Sequence, residues 1–373
     1  MIRTYDAGSL PFTGDWDTFL RGAKVTSFME ALHPAKYASD KRYFENSVKE
    51  SFLDKVGAGI DVSNYPQFRD INKMFLNAIT GIEKTGQGYV MSGRPIIRRD
   101  DLLIPEVSVL KEKSREISEE AGEPIYIKLC VTGPYTLSNL FARRGSQLFS
   151  HLGIVVSQII ESNVFSNRYG SVVLVSVDEP VFGFLDDPML DRGSEGREEL
   201  LRAWEQICYT AKSKSVQTCI HLHNTSNQLY WQVKSLDVVE SHVNDSLYTA
   251  QRTRTLLERE DKFLKASIAI TRLDTLIRDA IQKNGFTDEN VINTQVGETW
   301  TAIRKEQQNP MAFLESVEIM TKRLKKIVDR FDENRVLYAG PECGFQSFPT
   351  YATALECLRR TALAVKNVNS KDS

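Results

Sequence analysis

The sequence predicts a closed parallel α/β barrel of eight strand–helix units with insertions, a single domain over residues 1–373. Three observations carry this reading. Short apolar, often β-branched runs alternate with longer amphipathic stretches, the order that produces a parallel sheet. Eight such runs in 373 residues suit a (β/α)8 barrel. Polar clusters follow the runs one after another, and that fold builds its sites at the C-terminal strand ends.

The first strand is expected from Arg3 to Ala7, leaving through Gly8-Ser9-Leu10-Pro11, a turn whose amide and hydroxyl groups can hold a carboxylate. Phe44, Val48, Phe52 and Val56 recur at four-residue spacing, so 41–56 reads as a helix that ends at Gly57 and Gly59. Ile60-Asp61-Val62 is a short strand with a polar, aromatic exit, Asn64 to Asp70, that includes Gln67. Residues 105–121 read as one charged amphipathic helix, and 124–131 as a buried strand punctuated by Thr132-Gly133-Pro134. A helix over 147–168 precedes the β-branched run 171–177, expected to be buried on both faces and to end in Asp178-Glu179-Pro180. Adjacent carboxylates there are costly unless paired or bound to a cation.

Helix 198–213 leads to strand 216–223, then a short helix over 229–234 and strand 236–241. A charged helix over 250–261 and strand 263–271 follow. Residues 280–310 are polar without clear periodicity and read as an insertion or loop with some helix. Helix 311–331, strand 336–339 and helix 351–366 complete the chain, with no repeat, low-complexity tract or long linker.

Composition narrows the function classes. A net charge of -2 gives no sign of nucleic-acid or anionic-membrane binding. No apolar run approaches the roughly 18 residues of a membrane span, and Met1 to Asp6 does not read as a signal peptide. The five cysteines are odd in number and scattered, which argues for a reducing cytoplasm.

The chemistry concentrates in Thr218-Cys219-Ile220-His221-Leu222-His223-Asn224. Three of the five histidines, His221, His223 and His242, fall in one short segment. Side chains two apart on a strand share a side, so His221 and His223 point the same way, as a shared metal ion requires. Glu240 ends the next strand and Cys343 lies just past the last one, in Gly340-Pro341-Glu342-Cys343-Gly344. Imidazole, carboxylate and thiolate at successive strand ends read as a zinc site with a position open for substrate. Each also has a plain structural reading, as a hydrogen-bonded histidine, a solvated carboxylate or an inert thiol. Cys219 faces the same way as His221 but one layer deeper. His242, two beyond Glu240, is either a partner of a ligand or an alternative ligand.

At these residues the chain resembles the catalytic C-terminal half of cobalamin-independent methionine synthase. The matching stretches are Gly8-Ser9-Leu10-Pro11, Thr132-Gly133-Pro134, Val177-Asp178-Glu179-Pro180, His221-Leu222-His223, Val239-Glu240 and Gly340-Pro341-Glu342-Cys343-Gly344, in the family's order. The likeness is to the short, single-barrel archaeal and bacterial type, whose TIM-barrel fold is shared with the uroporphyrinogen decarboxylase and corrinoid methyltransferase group. It implies zinc on His221, His223, Glu240 and Cys343, with histidine at position 223 where the family has cysteine. It implies that Ser9 grips the carboxylate of homocysteine and that Asp178, with Glu179 beside it, serves its ammonium group. Gln67 stands where the family has a second carboxylate. Leu140 stands where folate-using members have tryptophan, so the resemblance favours a methylated corrinoid protein over methyl-folate as donor.

Zinc deprotonates a bound thiol and presents it for in-line attack on a methyl group. With His221, His223, Glu240 and Cys343 the formal charge of ion plus ligands is zero, against minus one in the family. A less anionic site acidifies the thiol better but leaves a poorer nucleophile, which suits an activated donor. Gln67 removes a charge that would face an ammonium group, so a thiol without an amino group is a further substrate candidate. The competing readings are a metal-dependent hydrolase, which usually needs more histidines, and a metal-free decarboxylase-like or binding barrel.

Overall fold

Apolar runs that neighbour one another in sequence become neighbours in space. The structure, a computed structural model, describes all residues except 26–28, 30–32 and 371–373. Numbering the barrel strands alone, β1 is Arg3–Thr4, β2 Ser63–Asn64, β3 Ile125–Thr132 and β4 Gly170–Glu179. β5 is Gln217–Leu222, β6 Val238–Glu240, β7 Phe263–Ala269 and β8 Val336–Pro341. Each strand from β2 onward pairs in parallel with the next, and β8 returns to β1. Parallel bridges from Tyr5 to Val62 and from Ser9 to Gln67 close β1 onto β2. The result is the α/β TIM barrel that the alternation predicts.

Closure gives the chain two apolar regions. Inside the barrel, Tyr5, Val62, Leu174, Cys219, Val238 and Tyr338 pack as one layer. Outside it, side chains of opposite parity pack against the helices in one much larger core. Register stacks the interior. Ser176, Cys219 and Val238 align across β4 to β6, and two residues on, Asp178, His221 and Glu240 align likewise. Gly340 keeps β8 close, since a Cβ there would lie 2.0 Å from the Tyr5 carbonyl oxygen.

Several expectations on element bounds are corrected. Residues 105–121 form two helices, Pro105–Glu112 and Ser114–Ala121, because Lys113 leaves helical geometry at φ -95° and ψ 10°. The stretch 280–310, read as an insertion or loop with some helix, is mostly helical: it holds the end of helix Leu273–Lys283 and all of Glu289–Arg304, which Asp288 caps by accepting the Asn290 and Val291 N–H groups. Helix 311–331 begins only at Val317, after a 3-10 turn at Pro310–Phe313, because Ser316 provides the N-cap. Residues 229–232 are a 3-10 turn rather than an α-helix. The helix expected over 147–168 stops at Asn163, and Ser166–Asn167 instead pair antiparallel with β4. Strand pairing in the second unit is centred on 62–64, two residues later than expected. A hairpin of Ile79–Thr85 and Gly88–Ile97 was not anticipated. Tyr89 ties it to the β3 exit, donating its N–H to the Leu140 carbonyl at 2.9 Å. Among the described residues, no helix is long and apolar enough to cross a membrane.

The exits of β1 and β2 are held from below by a buried ion pair. Lys55, on helix Pro34–Gly57, donates to Asp6 Oδ2 at 2.7 Å and to the carbonyls of Gly8 and Asn64. The other Asp6 oxygen accepts the Asn64 N–H at 2.7 Å. Both side chains are fully buried, and burial pulls the Lys55 ammonium below its ordinary range while Asp6 opposes the shift. Breaking such a pair leaves a lone buried charge. We expect Lys55→Met to lower unfolding free energy in denaturant by about 3–5 kcal/mol, and Lys55→Met with Asp6→Leu to recover part of it. Equal losses in the single and double variants would contradict this reading.

Candidate metal centre

Four side chains converge at the C-terminal mouth. His221 is at the end of β5 and His223 two residues on, His242 two beyond the end of β6, and Cys343 two beyond β8. Their ligand atoms all lie within 4.8 Å of one another. Cys343 Sγ is 3.7 Å from His223 Nε2, and the His223 and His242 ring centroids are 3.9 Å apart. The same-side placement read from His-x-His therefore holds. Cys219 lies one layer deeper, with its sulfur 3.6 Å from the Tyr5 hydroxyl.

Glu240 sits behind the cluster. Its Oε1 is 2.7 Å from His221 Nδ1, and its Oε2 meets Lys265 Nζ at 2.9 Å and accepts the Tyr5 hydroxyl proton. Both oxygens are engaged, so among the four converging donors His242 occupies the place that the resemblance gives to Glu240. Fixing the far nitrogen of a histidine with a carboxylate orients the ring and raises its basicity as a ligand. It leaves His221 Nε2 as the nitrogen that could bind a metal on releasing its proton.

The charges agree with this division. Burial works against charge on His221, but Glu240, with help from Cys343 and Asp178, carries its pKa to about 10. Burial and the neighbouring cations His221 and Arg272 pull His223 down to about 2 and His242 to about 3. Those two imidazoles are therefore neutral at neutral pH, with lone pairs available. Glu240 is held well below the usual carboxylate range, since Lys265 and His221 outweigh the burial that opposes ionisation. His242 Nε2 is buried and has no hydrogen-bond partner. An orphaned imidazole nitrogen beside a thiol and two more imidazoles fits a tetrahedral zinc ion.

The other predicted residues have definite places. Ser9 is bridged to Gln67, accepts the Phe345 N–H on its carbonyl at 2.9 Å, and lies against Gly344, where a Cβ would come 2.0 Å from its hydroxyl. The β1 exit is thus joined to the Cys343 loop. Gln67 is buried and donates to the Tyr65 hydroxyl at 2.9 Å. Asp178 is next to His221 in register, and its oxygens accept the Ser176 hydroxyl at 2.9 Å and the Cys130 thiol at 2.8 Å. Glu179 points the other way. It accepts the Tyr135 and Thr136 N–H groups and the Trp204 indole, at 3.0, 2.6 and 2.8 Å, and so caps helix Pro134–Ser138. Gly133 is glycine for this reason, since a Cβ would lie 2.2 Å from Glu179 Oε1.

Sequence reading missed Lys265 and Tyr5 behind Glu240, and the Thr271-Arg272 pair. Arg272, with His223, His242, Cys343 and Phe184, lines a cleft of about 420 Å³ that opens on the cluster. A lysine at 265 inside an apolar run was the available signal for the first, because a charge there must be paired.

Fold and site together define a (β/α)8 barrel with a His/Cys ligand cluster at its C-terminal mouth. Comparison with solved structures finds a B12-independent methionine synthase from Shewanella sp. W3-18-1, in complex with selenomethionine, at TM-score 0.60 and 14% identity over 100% of this chain and 98% of that one. A methyltransferase from Methanosarcina mazei aligns at TM-score 0.53 and 11% identity, over 99% and 95% of the two chains. At these identities the likeness is one of fold, a TIM barrel. No protein-family model matches the sequence, and no curated protein matches it.

Two outcomes follow. In competition titrations with a chromophoric chelator, wild type should take up one zinc per chain. His223→Ala, His242→Ala and Cys343→Ala should each weaken binding at least about tenfold, and Glu240→Gln about 10–100-fold. Unchanged affinity in His242→Ala would remove it from the ligand set. Separately, burial lifts Glu179 from 4.5 to about 7. A raised folded-state pKa contributes stability that is full below the unfolded value and lost as pH rises through the folded one. Wild-type stability relative to Glu179→Gln should therefore fall between about pH 4.5 and about pH 7 and then level off. A flat difference in denaturation experiments would contradict the shift.

Proposed function

We propose that this protein is a zinc-dependent methyltransferase that moves a methyl group to a thiol, with homocysteine as acceptor, methionine as product and a methylated corrinoid protein as donor. The observation that carries the reading is the open cluster of His221, His223, His242 and Cys343 beneath a cleft. The TIM-barrel fold and the resemblance at the strand ends support it. Five free cysteines fit a reducing compartment, here taken as the cytoplasm.

Bound zinc supplies Lewis acidity that turns a thiol into a thiolate at neutral pH. The residues do the rest. Glu240 keeps His221 in one tautomer and orientation. His223 and His242, neutral and partly buried, offer lone pairs without adding anionic charge. Cys343 is then the single anionic ligand, so ion and ligands carry one net positive charge. That deepens the logic of the sequence reading: the thiol is acidified strongly, remains a modest nucleophile, and calls for an activated methyl donor. The resemblance alone would put the substrate carboxylate at Ser9 and the ammonium group at Asp178, which is beside His221 in register. Gln67 and Glu179 contribute no exposed charge. Leu140 stands where the resemblance gives folate-using members a tryptophan, and that difference disfavours folate.

The purified zinc protein should convert homocysteine to methionine with methylcobalamin, detected by mass spectrometry, and chelation should abolish the conversion. Methyl-folate should give at least about tenfold less product. Comparable turnover with folate would refute the donor assignment. Hydrolysis of ester or amide substrates, with no thiol methylation, would favour the hydrolase reading.

A further inference from the structure

The substrate's anionic group is assigned by the cleft itself. The cleft that opens on Cys343, His223 and His242 also has Thr271 and Arg272 in its wall, while Ser9, Gln67 and Asp178 are not among its lining residues. A ligand with sulfur at the cluster that follows this cleft reaches Arg272. Three features make that end an anion receiver. The Arg272 side chain is exposed, with no carboxylate within ion-pair distance among the described residues. The nearby acids are committed: Glu342 accepts the Thr271 and Val243 N–H groups, and Asp245 accepts from Thr225 and Leu247. Thr271 is 1% exposed, yet its hydroxyl has no hydrogen-bond partner. Arg272 is also the N-cap of the 11-residue helix Leu273–Lys283, without a side-chain cap, so the first-turn amides add partial positive charge.

We infer that Thr271, Arg272 and the start of this helix bind the acidic group of the thiol substrate, and that the substrate class is thiol acids, with the amino group contributing little. This rests on the thiol reading above. It displaces the carboxylate from Ser9, where the resemblance alone would put it. Arg272 and Thr271 are specificity residues and take no part in bond making.

The test uses the cobalt-substituted protein, whose absorption reports sulfur coordination directly. Three thiols are titrated: homocysteine, 4-mercaptobutyrate (the same acid without its amino group) and neutral 3-mercaptopropanol. Wild type should bind the two acids within about threefold of each other and at least about tenfold tighter than the neutral thiol. Arg272→Ala should lose about 10–100-fold for both acids and stay within about twofold for 3-mercaptopropanol. Arg272→Lys should keep part of the preference, since an ammonium lacks the guanidinium fork. An acid preference that survives Arg272→Ala, or an equal loss for acid and neutral thiols, overturns the inference.

A second readout separates this failure from failure of the thiol reading. The thioether 4-(methylthio)butyrate should raise the Tm of the metal-free wild type and not of metal-free Arg272→Ala. An equal rise in both overturns the anion site. A rise confined to wild type supports it even if no thiol moves the cobalt spectrum, an outcome that would instead sink the thiol reading.

Discussion

The site depends on one buried charge relay, Lys265 to Glu240 to His221. Three ionisable groups inside an apolar barrel are expensive to desolvate, and they are tolerated only when each finds its partner at close range. Glu240 satisfies that condition with both oxygens, and the Tyr5 hydroxyl fills the remaining acceptor position. Lys128 lies over the Tyr5 ring, 4.5 Å from its centroid, and Lys265 lies 5.0 Å from it, so the same tyrosine steadies both cations. Burial opposes the Lys128 charge, but Glu240 and other acidic groups hold its pKa above the ordinary range. The relay turns a flexible imidazole into an oriented one and places it one level below His223 and His242. A cluster of ligands from three different strand ends is usable only if the lowest member does not rotate.

Around that relay, carboxylates act as bolts between loops. Asp6 joins the β1 and β2 exits through Lys55, and Glu179 pins the β3 exit to β4 and to Trp204. Glu342 accepts N–H groups from Val243 and Thr271, so one side chain ties together the segments carrying His242, Arg272 and Cys343. These acids have the composition of a catalytic site, but their oxygens are occupied by structure. Among the described residues, the uncommitted groups near the cleft include the orphaned His242 nitrogen, the Thr271 hydroxyl and Arg272.

Much of this was legible in the sequence, for physical reasons. Parallel strands buried on both faces leave β-branched runs such as 171–177, and period-two alternation alone put His221 and His223 on one side. The less legible parts depend on partners distant in sequence. Whether Glu240 or His242 joins the cluster is decided by Lys265 and Tyr5, which claim the carboxylate from 25 and 235 positions away. Alternation cannot settle it, because both residues have the same parity. The hairpin at 79–97 escaped notice because its strands are largely exposed and lack an apolar stripe. Helix bounds within 280–310 were not legible because polar residues dominate the composition there, although Asp288 is an N-cap signal.

The central claim is that three imidazoles and one thiolate form the metal site, with the carboxylate behind them. Anomalous diffraction at the zinc edge from zinc-loaded crystals tests it most directly. The account predicts one strong peak about 2.0–2.1 Å from the free nitrogens of His221, His223 and His242 and about 2.3 Å from Cys343 Sγ, with Glu240 still on His221. No peak at the barrel mouth, or a peak bonded to Glu240 with His242 turned away, would contradict it.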